Sequence, residues 1–270
     1  MSTQKETKPK KITVDTIKKR KNETPIVMIT AYDALFAKIF DDYADIILVG
    51  DSLNMIFNAK EDTLSATLDM MIYHTNAVCQ GAKRALVVLD MPFGTYSCKK
   101  EALKNAVKVY KKTKADAVKI EGGAEKADII RYLTRNSIAV MGHIGLMPQH
   151  VRNEGGYKVK GKDENDVQRL IKDALAVENA GAFALVVEGV KPEAAKEITK
   201  AVKIPTIGIG AGAETDGQVL VWSDMLGFFE DFKPKFVKRY LEGAKLVREA
   251  VERYANEVKE RKFPDSEHSY

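Results

Sequence analysis

The segment DIILVGDS, residues 45–52, joins a run of β-forming apolar residues to a carboxylate and a hydroxyl at its carboxyl end. Similar runs recur along the chain, each with glycine or a polar residue near its end. In order they are VMITAYD (27–33), DIILVGDS (45–52), ALVVLDMP (85–92), AVKIEGG (117–123), AVMGHIGL (139–146), ALVVEGV (184–190) and PTIGIGAG (205–212). Runs this apolar, without strict alternation, are typical of parallel strands covered on both faces.

Longer segments between these runs have apolar residues three and four positions apart, which is the period of an amphipathic helix. A further run, QVLVWSD at 218–224, can form an eighth strand, although only the short link GAETDG precedes it. Eight parallel strands with helical connections close into a barrel, whereas open doubly wound sheets usually have five or six strands. The sequence therefore predicts an α/β fold, a single (β/α)8 (TIM) barrel, and its 270 residues fit one such unit.

Positive charge is concentrated at the start of the chain. Residues 1–24 hold eight Lys/Arg and three acidic residues, and this excess equals the net charge of +5 of the whole chain. We predict a basic, partly disordered N-terminal segment at 1–24, the barrel with C-terminal helices at 25–262, and a polar tail at 263–270. Because no aromatic residue is interleaved with the basic residues before Tyr32, nucleic acid is not an expected partner.

The two cysteines, Cys79 and Cys98, are too few for a disulfide framework and lack metal-ligand spacing. No apolar segment approaches the ~18 uninterrupted residues of a membrane span, and no apolar signal region follows the first lysines. These features predict a cytoplasmic protein without a membrane partner. One long connection without periodicity, residues 147–165, is predicted to be an active-site lid, because long structureless connections in compact domains often have that role.

Acidic residues end several of the predicted strands, and barrel enzymes carry their chemistry at the carboxyl ends of the strands. Period-two alternation places four acids on strand faces together with apolar residues. The rows are Ile47, Val49 and Asp51; Leu86, Val88 and Asp90; Ala117, Lys119 and Glu121; and Ala184, Val186 and Glu188. With these faces inward, four acids and one lysine converge at the barrel mouth, where unpaired charge would be very costly. A bound cation is the simplest way to balance them.

Asp51, Asp90 and Glu121 form a set of hard oxygen ligands without a cysteine pair or histidine cluster, which suits Mg²⁺. Mg²⁺ keeps some of its water ligands, so positions remain for a chelating substrate such as a 2-oxo acid. Each acid could instead cap a helix or form a turn, and we interpret Asp33, in a Tyr-Asp turn, as such a cap. Lys119 either neutralises Glu121 or binds an anionic substrate.

Two glycine-rich words need separate interpretations. His143 lies between glycines in GHIG, where a ligand can approach the backbone, so we include it as a candidate site residue. GIGAG at 208–212 lacks both the spacing of a dinucleotide-binding loop and a Walker lysine. We interpret it as the closely packed end of the seventh strand.

The motifs together resemble one family, 3-methyl-2-oxobutanoate hydroxymethyltransferase, also called ketopantoate hydroxymethyltransferase. The resemblance runs from about residue 10 to the C-terminus in the family's own order. The matching words are TAYDALFAK (30–38), LVGDSL (48–53), LDMPF (89–93), VKIEGG (118–123), GHIGLMPQ (142–149), GGYKVKG (155–161), LVVEGV (185–190), IPTIGIGAG (204–212), TDGQVLV (215–221) and EHSY (267–270).

This resemblance implies a barrel of the phosphoenolpyruvate/pyruvate-binding type. It also implies transfer of a hydroxymethyl group from 5,10-methylenetetrahydrofolate to 3-methyl-2-oxobutanoate, giving 2-dehydropantoate for pantothenate and coenzyme A biosynthesis, through a Mg²⁺-stabilised enolate. The implied residue roles are metal binding at Asp51, Asp90 and Glu121, substrate binding at Asp51, Ser52, Asp90 and Lys119, and proton acceptance at Glu188. A homo-oligomer, typically a decamer, is implied as well.

Asn54 departs from the family pattern, which commonly has glycine at this position of a DSLGM-like word next to the metal loop. Two other functions fit parts of the sequence. A related Mg²⁺-dependent 2-oxo-acid lyase would use the same metal and enolate, but such lyases often use a loop cysteine as acid, and residues 147–165 contain none. A non-catalytic barrel scaffold would have dispensable acids and would bind no metal.

Overall fold

The computed structural model describes residues 10–230 and 233–270, and the chain divides into two compact units, Met1–Val221 and Trp222–Tyr270. In the first unit eight parallel strands close into a barrel in chain order. They are β1 Ile26–Thr30, β2 Ile46–Val49, β3 Leu86–Asp90, β4 Ala117–Glu121, β5 Val140–Gly145, β6 Ala184–Glu188, β7 Thr206–Ile209 and β8 Gly217–Leu220. The predicted (β/α)8 barrel is confirmed, including its eighth strand.

Helices precede the first strand and connect most of the strands in the first unit. They are α1 Val14–Lys18, α2 Ala34–Phe40, α3 Leu53–Phe57, α4 Leu68–Gly81, α5 Lys99–Lys112, α6 Ala127–Arg135, α7 Val151–Glu154, α8 Glu164–Asn179 and α9 Pro192–Ala201. The second unit contains α10 Trp222–Met225 and α11 Gly243–Lys259. The connection from β7 to β8 at residues 210–216, all of it described, contains no helix. The second unit consists of α10, α11 and the residues around them, and within the described residues no helix combines the length and apolar character needed to cross a bilayer.

Side-chain caps begin several of the connecting helices. The carboxylate of Asp33 accepts a hydrogen bond from the backbone N–H of Phe36 at 2.9 Å at the start of α2. Thr67 and Asp163 cap α4 and α8 in the same way. Such caps satisfy backbone donors that the first helical turn leaves unpaired. The interpretation of Asp33 as a cap is therefore confirmed.

The barrel interior is packed with aliphatic side chains from its strands. They are Ile26, Met28, Ile46, Leu48, Leu86, Val88, Ala117, Met141, Ala184, Val186, Ile207, Ile209 and Val219. In the register of β2 with β3, Ile46 lies beside Leu86. The inward row of β2 is therefore Ile46 and Leu48, and the predicted row through Ile47 and Val49 is wrong. Asp51 still reaches the barrel mouth, because β2 ends at Val49 and strand alternation no longer applies in the turn that follows.

The described part of the basic segment, residues 10–24, is folded. Ile12 and Ile17 are buried in the core cluster, on either side of a Thr13 capping box that starts α1. Its basic residues pair with the barrel: Lys11 Nζ lies 2.8 Å from Asp116 Oδ2, and Lys21 Nζ donates to Asp216 Oδ2 at 2.9 Å. These contacts differ from the expected partly disordered segment, whose residues 1–9 lie outside the described residues. The predicted tail at 263–270 is exposed and contains one 3₁₀ turn, Ser266–His268.

The long connection at 147–165 has more local structure than the sequence indicates. A 3₁₀ turn, Pro148–His150, leads into α7, which ends at Gly155 in the left-handed conformation at φ 64°. Glycine adopts that conformation without the steric cost that a side chain would add. Its role as a lid stays a prediction.

The packing of α1 can be tested by Ile17→Ala. Removing a fully buried isoleucine side chain leaves a cavity, so we expect the free energy of unfolding to fall by about 2–5 kcal/mol. Urea unfolding followed by circular dichroism measures this change. Lys18→Ala, at an exposed position of the same helix, should change the stability by less than about 0.5 kcal/mol. Equal stabilities of the two variants would contradict a core role for α1.

Candidate active site

The strand register brings most of the predicted site residues to one end of the barrel. Asp90 lies beside Lys119 across β3 and β4, and Glu121 lies beside His143 across β4 and β5. Glu188 ends β6 on the same face. All but Glu188 are almost fully buried, and the Glu188 side chain keeps 19% of its accessible surface. Polar groups this deep in a barrel mouth need partners among themselves or from a ligand.

Lys119 is the cation of this cluster. Its Nζ lies 2.8 Å from Asp90 Oδ1 and 3.1 Å from His143 Nδ1. Burial alone lowers the pKa of Lys119, but Asp90 and Glu121 outweigh that effect and raise the pKa above its ordinary value. Lys119 is therefore a permanent positive charge, and its nearest carboxylate is that of Asp90 rather than the Glu121 considered from the sequence.

His143 lies between Lys119 and Glu188. Burial, followed by the charge of Lys119, holds the pKa of His143 well below its ordinary value, so the imidazole is neutral. Because Nδ1 accepts from the lysine ammonium, the ring proton resides on Nε2, which faces Glu188 Oε2 at 3.3 Å. That contact is not a regular hydrogen bond, and His143 Nε2 has no hydrogen-bond partner among the described residues. The structure thus brings His143 into the site, facing Glu188.

Glu188 is set apart from the other three acids by its surroundings. Burial raises its pKa to about 7, and the positive charge of Lys119 lowers the pKa only in part. A carboxylate with a pKa near neutrality suits proton transfer, since it can both take up and release a proton at physiological pH.

Asp51 and Glu121 are held by a residue that the sequence interpretation missed, Gln149. Its side-chain Nε2 donates to Asp51 Oδ2 at 2.9 Å and to the carbonyl of Met91 at 3.0 Å, while its backbone N–H donates to Glu121 Oε2 at 3.0 Å. The amide oxygen of Gln149 accepts from the buried hydroxyl of Tyr96. Gln149 lies four residues beyond β5, so attention to strand ends alone could not find it, although it closes the word GHIGLMPQ.

Burial and, after it, the neighbouring charge of Asp90 raise the pKa of Asp51 to about 7, against the lowering effects of Lys119 and Gln149. Burial also raises the pKa of Glu121 well above its ordinary value, against the opposing charge of Lys119. The Asp51 backbone N–H points at Asp90 Oδ2 at 3.4 Å. Crowding of buried carboxylates therefore favours their protonated forms, and additional positive charge would favour the ionised forms.

Ser52 completes the group of predicted site residues. Its hydroxyl is hydrogen bonded to that of buried Tyr32 at 2.8 Å, so the side chain is held in place at the start of α3. The GIGAG word, in contrast, belongs to the packed end of β7, where a Cβ added at Gly208 would lie 2.7 Å from Thr215 Oγ1. This crowding supports its interpretation as a strand end.

Asp51, Asp90 and Glu121 offer the kind of donor that Mg²⁺ prefers, since all three are buried carboxylates at the mouth of the barrel. Asp90 forms an ion pair with Lys119, and Asp51 accepts a hydrogen bond from Gln149. No three His, Cys, Asp or Glu side chains in residues 10–230 and 233–270 are drawn together as a metal cluster. The donors fit the cation by chemistry, and binding would require the carboxylates to turn toward one another.

Fold and site together define a barrel enzyme whose acid, base and cationic groups lie at the carboxyl ends of the strands. The family model described as ketopantoate hydroxymethyltransferase matches residues 11–266. The chain belongs to this family, whose members are transferases.

Curated relatives match over almost the whole chain. The 3-methyl-2-oxobutanoate hydroxymethyltransferase of Aliarcobacter butzleri is 66% identical, covering 96% of this chain and 97% of its own length. The protein of that name from Nitratiruptor sp. is 67% identical, covering 97% of this chain and 99% of its own length.

Among solved structures, a 2,3-dimethylmalate lyase of the PEP mutase/isocitrate lyase superfamily has a TM-score of 0.60 at 16% identity, covering 90% of this chain and 87% of its own. A phosphonopyruvate hydrolase in complex with oxalate and Mg²⁺ has a TM-score of 0.59 at 11% identity, covering 94% and 92%. At these identities the two structures show the fold alone.

The holding role of Gln149 can be tested by Gln149→Leu, measured with a chelator present. The variant keeps the volume but leaves Asp51 and the Tyr96 hydroxyl unpaired, so we expect a loss of about 1–3 kcal/mol in the free energy of unfolding. Gln149 stabilises ionised Asp51, whose pKa is raised to about 7, so the loss should be larger at pH 8 than at pH 5. Urea unfolding at both pH values measures the difference. The matched control is Gln168→Leu on the exposed surface of α8, and a Gln149→Leu variant as stable as this control would refute the role.

Proposed function

We propose that the chain transfers a hydroxymethyl group from 5,10-methylenetetrahydrofolate to 3-methyl-2-oxobutanoate, giving 2-dehydropantoate in the pathway to pantothenate and coenzyme A, through a Mg²⁺-stabilised enolate. The supporting observation is the separation of one carboxylate, Glu188, from three crowded ones at the mouth of a barrel whose family match spans residues 11–266. That separation divides the acids between proton transfer and cation binding.

We assign cation binding to Asp51, Asp90 and Glu121. Mg²⁺ bound there would act as a Lewis acid toward the keto group of the substrate. Its charge would also offset the burial and the repulsion between carboxylates that now raise the pKa of Asp51 and of Glu121.

Lys119, Ser52 and Asp90 serve substrate binding in this proposal. The permanently charged Lys119 ammonium pairs with the substrate carboxylate, and the Ser52 hydroxyl donates a hydrogen bond to it. Lys119 would exchange part of its contact with Asp90, which then turns toward the cation. Asp51 lies next to Ser52 in the same loop and also contributes to substrate binding.

Glu188 is the proposed base. It removes the proton from C3 of the oxo acid, and the electron pair of that C–H bond moves into the enolate. His143, with its proton on Nε2 at 3.3 Å from Glu188 Oε2, would orient that carboxylate through a hydrogen bond formed when substrate binds. The enolate carbon then bonds to the folate-borne methylene, tetrahydrofolate departs, and water supplies the hydroxyl oxygen of the product.

The first test is exchange of the C3 proton of 3-methyl-2-oxobutanoate for deuterium, followed by NMR without folate. We expect exchange that requires Mg²⁺ and that falls by about 10²–10⁴-fold in Glu188→Gln, because the amide cannot accept the proton. Glu193→Gln, an exposed change on α9, is the control and should leave exchange unaltered. Because burial raises the pKa of Glu188 to about 7, the rate should fall about tenfold per pH unit below that value and level off above it.

Full exchange in Glu188→Gln would remove Glu188 from the role of base. Formation of 2-dehydropantoate after addition of 5,10-methylenetetrahydrofolate distinguishes the transferase from a Mg²⁺-dependent lyase. A lyase would exchange protons and cleave carbon–carbon bonds without using folate. A cytoplasmic location and the absence of a nucleic-acid partner stay predictions.

We further propose that the chain forms a homo-oligomer, a decamer by resemblance to the family. Helix α11 carries an apolar stripe at i, i+4, i+7 and i+11, with exposed fractions of 43–58%. Its members are Val247, Val251, Tyr254 and Val258. A second set of exposed apolar side chains is formed by Leu35 and Ile39 of α2 and by Tyr43 in the turn that follows the helix. Contiguous apolar surface of this kind is common where subunits meet.

Val251→Asp tests this assembly. A charge in the middle of the α11 stripe cannot be buried without a large cost, so we expect a smaller particle in size-exclusion chromatography with light scattering. Asn256→Asp adds the same charge at an exposed polar position of α11 and should keep the assembly. A monomeric unaltered chain at micromolar concentration would contradict the proposal.

A further inference from the structure

Ser52 immediately precedes helix α3, but its side chain does not cap the helix. Serine in this position commonly accepts a hydrogen bond from a backbone N–H of the first turn. Here Ser52 has helical backbone angles, φ −53° and ψ −18°, and its hydroxyl makes no bond to the first turn, all of which is described. The N–H groups of Leu53, Asn54 and Met55 donate to backbone carbonyls instead. The Ser52 hydroxyl is therefore available for another role at the barrel mouth.

That hydroxyl is paired with the phenol of Tyr32. Tyr32 Oη lies 2.8 Å from Ser52 Oγ. Tyr32 is fully buried and Ser52 is partly exposed, so the pair connects the protein interior with the mouth. A Cβ added at Gly50 would come within 2.9 Å of Ser52 Oγ. Glycine at position 50 thus leaves the space that the hydroxyl occupies in this pair.

Tyr32 is itself held at its ring and at its backbone. The ring of Phe57, the last residue of α3, meets the Tyr32 ring edge-on, with 5.6 Å between the centroids. His74 of α4 stacks on Phe57, and its Nδ1 lies 2.7 Å from the Tyr32 carbonyl oxygen. Because a carbonyl can only accept, His74 Nδ1 is the donor of this bond. Tyr32, Phe57 and His74 therefore form one packed group beside Ser52.

We infer that Tyr32 is a positioning residue for the oxo-acid substrate and acts through Ser52: its phenol donates to Ser52 Oγ, so that the serine proton points toward the substrate carboxylate. A hydroxyl has one proton to donate. When Ser52 donates to the substrate, the bond within the pair must take its proton from the phenol. Hydrogen bonds in such a chain polarise and strengthen one another. This inference rests on the substrate-binding role of Ser52 in the proposed function.

The test measures the dissociation constant of 3-methyl-2-oxobutanoate by isothermal titration calorimetry, with Mg²⁺ and without folate. Tyr32→Phe keeps the ring and removes the phenol oxygen, so we expect binding about 3–10-fold weaker, as for the loss of one hydrogen bond. The carboxylate takes no part in bond making, so the loss should affect the bound substrate and the transition state alike. In the deuterium-exchange assay the KM should therefore rise equally, and the maximal rate should stay within about twofold.

A double-mutant cycle separates action through Ser52 from a general effect on the fold. Ser52→Ala should weaken binding at least as much as Tyr32→Phe, and combining the two changes should cause no further loss. Additive losses would overturn the inference, because Tyr32 would then act by another route. The matched control is Tyr110→Phe. Its half-buried phenol donates to the Asp116 carbonyl at 3.0 Å, at the amino end of β4, so substrate binding should stay within about 1.5-fold.

His74 offers a test that leaves the phenol in place. His74→Leu removes the donor to the Tyr32 carbonyl, so Tyr32 should hold Ser52 less firmly and substrate binding should weaken by about 2–5-fold. His74→Asn keeps a side-chain N–H donor and should bind more tightly than His74→Leu. If circular dichroism shows that Tyr32→Phe does not fold, this pair of variants decides. Binding by His74→Leu as tight as that of the unaltered chain would then overturn the inference.

The outcomes for Tyr32 and for the proposed function are distinguishable. Full affinity in Tyr32→Phe, together with weakened binding in Ser52→Ala, would overturn the role of Tyr32 and leave the proposed function intact. Full affinity in Ser52→Ala would remove this serine from substrate binding and the role of Tyr32 with it. An unaltered chain that binds no 3-methyl-2-oxobutanoate would contradict the proposed function itself.

Discussion

The site depends on the electrostatic cost of placing four carboxylates and one ammonium in a barrel mouth with little water. Coulomb repulsion between buried like charges is weakly screened, so each carboxylate must find a donor or take up a proton. Lys119 satisfies Asp90, and Gln149 bridges Asp51 and Glu121. Burial, together with repulsion between the carboxylates, still raises the pKa values of Asp51 and Glu121, so these partners do not fully offset its effect. The residual imbalance is what makes the mouth receptive to a cation and to an anionic substrate bound with it.

Barrel geometry converts this balance into separate chemical roles. Parallel strands in register place Asp90 beside Lys119 and Glu121 beside His143. Glu188, two strands beyond β4, faces the neutral imidazole of His143 and keeps some contact with solvent. Chemically similar carboxylates thus differ in pKa and in contacting residues, because neighbouring strands end in different residues.

Much of this arrangement follows from the sequence, because apolar runs that end in acids specify both the strands and the edge where the acids meet. The failures have physical causes. Alternation gave the wrong inward row for β2, since β2 ends at Val49 and a turn carries Asp51 to the mouth. The high charge of the basic segment indicated partial disorder and so gave no sign that Ile12 and Ile17 are buried in the core. Gln149 contacts Asp51 and Glu121 from a connection between strands, where no periodicity predicts which way a side chain points.

Closure of the barrel joins parts of the chain that are far apart in sequence. β1 pairs with β8, and the carboxylate of Asp216 accepts hydrogen bonds from Lys21 and the Asn22 backbone as well as from Thr206. Contacts of such long range form late and slowly during folding. During synthesis the unpaired edge of β1 must therefore wait for about 190 further residues before its partner emerges from the ribosome. Until then the nascent barrel is an open sheet. Its closure includes the hydrogen bonds of the Asp216 carboxylate, which lies near the end of the first unit.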